Sequence, residues 1–241
     1  MKTRWLLLWA ILAFAAPVEA FAAAQNDDPN RTDCADPNPQ TRIRACSAIL
    51  KTAQPSDLTT PVAYNNRGLA YSETGQQDLA IKDFDQAISI FPSYAIAYSN
   101  RGLAYEIEGE MEKAAADFDQ AIKLNPNYAG AYNNRCYVRA ALGRLADALV
   151  DCQKALSFNA EDPKTLDSLA FVYLRLGQYQ QAILQYNAAL KLAPNLAESL
   201  YGRGTAFIKI GNAASGNNDL EAATKADPGI AARMAAVGIT R

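Results

Sequence analysis

The chain of 241 residues contains no histidine. That absence excludes imidazole general bases, Ser/His/Asp and Cys/His nucleophile systems, and every histidine-ligated metal centre. Cationic surface is missing too: the formal net charge is -2, which leaves nothing to track a phosphate backbone, so nucleic acid is not an expected partner. Aromatics are sparse at 9%, while half of the residues are apolar and 20% are charged, the profile of a soluble globular chain. Long apolar runs are scarce. The one candidate, Trp5 to Ala16, is twelve residues long, and a bilayer takes about 20. No cofactor motif and no metal-binding motif is visible.

What is present begins with the start of the chain, MKTRWLLLWAILAFAAPVEAFAAAQ. Lys2 and Arg4 precede the apolar run, and the small residues Ala20, Ala22 and Ala24 follow it. This three-part pattern predicts a signal peptide over residues 1–24, cleaved after Ala20, Ala22 or Ala24, and hence a periplasmic or secreted chain with no membrane span after processing. A retained anchor is the alternative. Cys34, Cys46, Cys136 and Cys152 form an even set, which an exported chain can oxidise. A zinc site on all four competes with that reading, although their spacings of 12 and 16 are not the close pairs zinc usually takes.

From residue 61 the sequence aligns with itself at a shift of 34, in five windows: 61–94, 95–128, 129–162, 163–196 and 197–230. The eighth place holds Gly68, Gly102, Cys136, Ala170 and Gly204, and the fifteenth is glycine throughout: Gly75, Gly109, Gly143, Gly177 and Gly211. Alanine fills the twenty-seventh place in all five windows, and Pro92, Pro126, Pro194 and Pro228 close four of them. Large residues seven apart, such as Tyr64 and Tyr71 or Tyr98 and Tyr105, share one helix face, and the invariant glycine supplies the left-handed turn that ends that helix. A second amphipathic helix follows, exemplified by DLAIKDFDQAISI with its acidic first turn. Each window therefore predicts two helices packed closely through small residues. Gly216-Asn217-Asn218 inside the fifth window's second helix predicts the least stable repeat.

Small residues at places 8, 20 and 27 with large ones at 4, 11 and 24, recurring every 34, resemble the tetratricopeptide repeat across residues 61–230. The resemblance implies an all-α fold, a right-handed superhelical solenoid of helix-turn-helix units with the first helices lining a concave groove. Residues 25–60 are then a loose leader with a lone capping helix at 41–51, and residues 231–241 a capping helix that covers the far end. The stretch ACSAIL at 45–50 echoes VDCQKAL at 150–156, which suggests that both are second helices.

Five repeats are five trials of one environment. Place 7 reads Arg67, Arg101, Arg135, Leu169, Arg203, and place 23 reads Asp83, Asp117, Asp151, Gln185, Asp219. The repeat without arginine is the one without aspartate, which points to an ion pair within a repeat or across to its neighbour; shared ancestry explains the same pattern without one. Where other repeats set a small place 8 against a large place 24, the third has cysteine at both, so Cys136 and Cys152 face each other within bonding range. By elimination Cys34 pairs with Cys46. Buried free thiols remain the alternative, and the role of Arg139, in a place otherwise aromatic, is open.

The resemblance puts places 2, 5, 6, 9, 12 and 13 on the groove. There lie Asn66, Asn100 and Asn134, a row of amides able to hold an extended peptide backbone, and Leu69, Leu103, Ile107, Tyr137, Phe171, Leu174 and Arg175. Inheritance of the asparagines, and partial burial of the apolar residues between helices, are the competing readings. Lys and Arg are absent from places 2, 5 and 6 of the first three repeats, so the clamp with which some family members grip a C-terminal carboxylate is not implied. The expected function is a non-catalytic interaction scaffold of the bacterial cell envelope that takes a peptide or protein partner in its groove. A weakly self-associating structural protein, or an accessory subunit of an envelope enzyme complex, are the alternatives.

Overall fold

The structure, a computed structural model, describes residues 32–54 and 56–240. The expected signal peptide lies outside the described residues. Among those residues are twelve helices and no strand: α1 Pro39–Thr52, α2 Thr59–Glu73, α3 Gln77–Ile90, α4 Ala95–Ile107, α5 Met111–Leu124, α6 Ala129–Ala141, α7 Leu145–Phe158, α8 Pro163–Arg175, α9 Tyr179–Leu192, α10 Ala197–Lys209, α11 Ala213–Ala226 and α12 Ile230–Ala236. Even-numbered helices α2 to α10 open the five repeats, and α3 to α11 close them.

The turn between the two helices of a repeat is set by glycine. Gly75, Gly109, Gly143, Gly177 and Gly211 all have φ between 73° and 86°, the left-handed region where a Cβ is strained. In each case the two amides after the helix fold back on its last turn; Gly75 N–H donates to the Ser72 carbonyl at 3.0 Å and Gln76 N–H to that of Tyr71 at 2.8 Å. This satisfies carbonyls that a helix end would otherwise leave open.

Within a repeat the helices touch through the small place 8. A Cβ on Gly68 would meet Phe84 at 2.8 Å, and one on Gly102 would meet Phe118 at 2.8 Å, so the glycines are what lets these rings lie fully buried. In the third repeat the same two places carry the Cys136–Cys152 disulfide, with Cα atoms 5.4 Å apart. Gly216 has a packing role inside its helix: a Cβ there would meet Ile208 at 2.5 Å and the Gly204 carbonyl at 2.7 Å. The close approach of α10 and α11 offsets the roughly 1 kcal/mol that glycine costs inside a helix.

Successive first helices also touch one another (α2 with α4, α4 with α6, α6 with α8, α8 with α10), whereas no pair of second helices makes a comparable contact among the described residues. First helices crowded together and second helices splayed apart bend the stack, with the first helices inside. The molecule is an all-α helical repeat solenoid.

The front of the stack is completed by α1, which begins at Pro39 because Asn38 caps it, accepting from the amides of Gln40 at 3.0 Å and Thr41 at 3.1 Å. It takes the place of a missing second helix. The Cys34–Cys46 disulfide, with Cα atoms 4.7 Å apart, holds the leader where that half-repeat would have had a first helix.

Candidate functional site

The contact between first and second helices is organised by the arginines of place 7. Arg67, Arg101, Arg135 and Arg203 each fork onto the aspartate of their own repeat, with both nitrogen–oxygen distances between 2.5 and 2.8 Å: Asp83, Asp117, Asp151 and Asp219. The third guanidinium nitrogen reaches back one repeat. Arg101 donates to Asp85 at 2.6 Å, Arg135 to Asp119 at 2.6 Å, Arg203 to Asn187 at 2.7 Å, and Arg67 to Ser47 on α1 at 3.0 Å. One cation thus couples two repeats, in planar bidentate geometry. Rings at places 4 and 11 flank it; the Arg101 guanidinium lies 5.5 Å from the Tyr98 centroid and 5.9 Å from that of Tyr105. Arg139 occupies a ring position in the third repeat and joins the network instead, donating to Asp151 at 2.7 Å and Asp119 at 3.2 Å. Repeat four, with buried Leu169 opposite Gln185, replaces the pair by apolar packing. These residues belong to the scaffold.

On the concave side the asparagines divide. Asn66 donates to the Cys34 carbonyl of the leader at 3.1 Å, and Asn100 donates to Asn65 at 2.8 Å, so both amides are engaged by their own chain. Asn134 lines a cavity of about 600 Å³. Its walls come from four repeats: Leu103, Glu106 and Ile107 on α4; Asn133, Asn134 and Tyr137 on α6; Lys164, Asp167 and Ser168 on α8; Leu196 and Glu198 at the start of α10. Arg233, Met234 and Val237 close the far side.

That last wall corrects two expectations. The C-terminal helix is not merely a lid on the end of the stack; it leans on α10 more than on α11 and turns in over the groove. Arg233 pairs with Glu198 at 2.8 Å and also with Asp227, and Arg175 donates to the Val237 carbonyl at 2.6 Å. Ile230, Met234, Val237 and Ile239, spaced to share one side of a short helix and its tail, are at most 6% exposed. Phe171 and Leu174 lie buried in the same hydrophobic cluster, so they are core rather than open groove floor, and Arg175 is held by the tail. Leu69 likewise packs against the cluster of Ala80, Phe84 and Ala104. Leu103, Ile107, Asn134 and Tyr137 are the groove candidates that meet in one cavity.

Sequence reasoning missed the carboxylates of this cavity. Burial pushes Glu106 up to about 7, and burial, opposed by a 2.5 Å hydrogen bond from Ser199, pushes Asp167 up to about 7. Neither has a cation within ion-pair distance among the described residues. Tyr137 is pushed upward by desolvation and by the nearby charges of Glu106, Asp167 and Glu198. Two polar groups are buried without a partner: Oδ1 of Asn133, an acceptor on the wall, and the hydroxyl of Tyr186, a donor as well as an acceptor. Tyr186 reaches from α9 to Gly202 on α10, where a Cβ would stand 2.1 Å from its oxygen, so the hydroxyl lies in the core behind the lining residues. The signal was in the sequence, as acids at groove places 12 and 5, yet nothing local says that they share a space.

Models of the tetratricopeptide repeat match residues 61–94 and 95–128, and a TPR repeat model matches residues 172–211. The chain carries tetratricopeptide repeats. Among solved structures it is similar to YrrB, described as a TPR protein with an unusual peptide-binding site, at 19% identity and a TM-score of 0.56, over 77% of this chain and 94% of that one. A tetratricopeptide repeat protein from Parabacteroides merdae is similar at 20% identity and a TM-score of 0.64, over 84% of this chain and 77% of the other. MamA is similar at 18% identity and a TM-score of 0.55, over 76% and 97%. At these identities the likeness establishes the fold. No curated protein matches the chain in sequence. Among the described residues no helix is long and apolar enough to cross a membrane, and no three His, Cys, Asp or Glu side chains converge as metal ligands.

Proposed function

We propose that this protein is a non-catalytic scaffold of the cell envelope that binds a peptide segment of a partner protein in its concave groove, across repeats two to five. The observation that carries the reading is the cavity of about 600 Å³, assembled by α4, α6, α8 and α10 and bounded by the C-terminal segment. It is concave, largely apolar in outline and supplied with a few convergent polar groups, the character of a recognition site. Ile107, 62% exposed at its rim, has no packing reason to be apolar and offers an anchor surface. The pattern of the first residues, together with two disulfides, supports an oxidising, exported setting.

The test is a pull-down from envelope extract with the wild type, I107D and N134A. Ile107 and Asn134 sit on the groove and outside the repeat cores, so both variants fold. Loss of the same partner from both is expected; recovery equal to wild type would refute groove binding. Light scattering across a concentration series separates this from self-association, which would raise the mass with concentration in the absence of any partner.

A further inference from the structure

We propose that the cavity is a receptor for one basic side chain, a lysine ammonium or an arginine guanidinium, carried by the peptide that lies in the groove. The inference rests on the groove reading and gives it a ligand chemistry.

The cavity holds two acids with no counter-cation at ion-pair distance and one buried amide oxygen with no donor. Glu106 and Asp167 reach it from α4 and α8, without a counter-cation among the described residues. Asn133 Oδ1 faces it, buried and unpartnered, from α6. The Tyr186 hydroxyl, on a residue 1% exposed, is likewise unpartnered but lies beside Gly202 in the core behind the lining residues. Of the two cations on the wall, Arg233 is committed to Glu198 and Asp227, and Lys164 is exposed and makes no ion pair among the described residues. Uncompensated carboxylates are costly to bury, and an ammonium with three N–H groups, or a guanidinium with five, supplies the opposite charge and a donor for the Asn133 oxygen. A metal ion is disfavoured because no three ligating side chains converge among the described residues. An anion meets carboxylates.

Proton competition gives this proposal a signature that a structural role lacks. The groups facing the two acids are Tyr137 on α6, Lys164 on α8, Tyr186 on α9, Glu198 on α10 and Arg233 on α12. Both acids hold protons up to about pH 7, so a cation must displace them, and binding strengthens as pH rises from about 6 to about 8.

The experiment selects peptides of about twelve random residues, displayed on phage, against the oxidised full chain, then measures fluorescence anisotropy of the enriched peptides with the wild type and the E106Q/D167N double variant. Both substitutions are near-isosteric and mimic the protonated form that burial already favours, and circular dichroism verifies the fold. The expected result is an invariant Lys or Arg in the enriched peptides. Its replacement by norleucine, or use of the double variant, weakens binding about tenfold or more, and lowering pH from about 8 to about 6 weakens wild-type binding about tenfold but leaves the double variant unchanged. Peptides enriched without a basic position, or bound equally by the double variant, overturn the proposal while leaving the groove reading intact. Free arginine bound as tightly as the peptide also overturns it, in favour of a small-molecule site. No enrichment at all overturns the groove reading itself.

Discussion

Replacing Asp151 by alanine tests the arginine network where it is most concentrated. Asp151 is 2% exposed and accepts from Arg135 at 2.8 and 2.5 Å and from Arg139 at 2.7 Å. D151A leaves two guanidinium groups with one shared carboxylate, Asp119, whose side chain is 53% exposed. Breaking a buried pair by removing one partner costs about 3–5 kcal/mol, because the remaining charge stays desolvated. Asp85 is the internal control: its side chain is 47% exposed and it accepts a single bond from Arg101, so D85A should cost less than about 1 kcal/mol. In a chain of this size each kcal/mol moves the melting temperature by roughly 2–4 °C, so D151A should melt about 6–20 °C below wild type and D85A within about 4 °C. Melting followed by circular dichroism, with a free-thiol assay to verify that the Cys136–Cys152 bond is intact, makes the comparison. Equal losses in the two variants would refute the argument that burial decides the value of these pairs. Repeat four supplies the complementary case, since Leu169 and Gln185 dispense with the pair: R101L/D117Q should lose less stability than D117A alone.

Four further outcomes follow from the same geometry. G202A should destabilise by about 1–3 kcal/mol in chemical denaturation, because its Cβ would stand 2.1 Å from the Tyr186 oxygen, and Y186L should relieve that cost where Y186F should not. Glu106 and Asp167 have folded values raised to about 7, so the unfolded chain releases these protons first; their contribution to stability is present below about pH 4 and is lost as pH rises to about 7, and denaturation curves of E106Q/D167N should lack that decline. Mass mapping of non-reduced protein should find Cys34 with Cys46 and Cys136 with Cys152, and C136A/C152A should cost about 3 kcal/mol, the entropic value for a loop of their 16-residue separation. Ending the chain at Gly229 removes Ile230, Met234, Val237 and Ile239 from the groove and should raise binding of a hydrophobic dye at the exposed Phe171 and Leu174; unchanged dye binding would mean that the tail does not cover them.

The periodicity made the scaffold legible because its determinants are local and repeated. Gly75 and its four counterparts act through their own φ angles, and Gly68 acts through Phe84 sixteen residues away in the same repeat. A residue absent from one repeat together with its partner, as Leu169 and Gln185 show, marks a contact without any alignment. Arg139 was opaque for the opposite reason: it departs from the pattern in a single repeat, and only its position between Asp119 and Asp151 explains it. The asparagines were read as one ladder, but whether each amide is free depends on what lies opposite, and for Asn66 that is a carbonyl of the leader.

The sequence by itself determined the helices, the turns and the spacing of small and large side chains, and pointed to the pairing of arginines and cysteines, since each is an interaction within about one repeat length. Tertiary structure alone decided which groove positions are open. Arg175 and Val237 are 62 residues apart, and their hydrogen bond docks the tail, whose Ile230, Met234, Val237 and Ile239 share one buried cluster with Phe171 and Leu174. Curvature of the stack brings Glu106 and Asp167, a residue from each of two repeats that are not neighbours in sequence, to one cavity. Neither event leaves a periodic trace, because each happens once in the chain and depends on the summed geometry of every repeat between the partners.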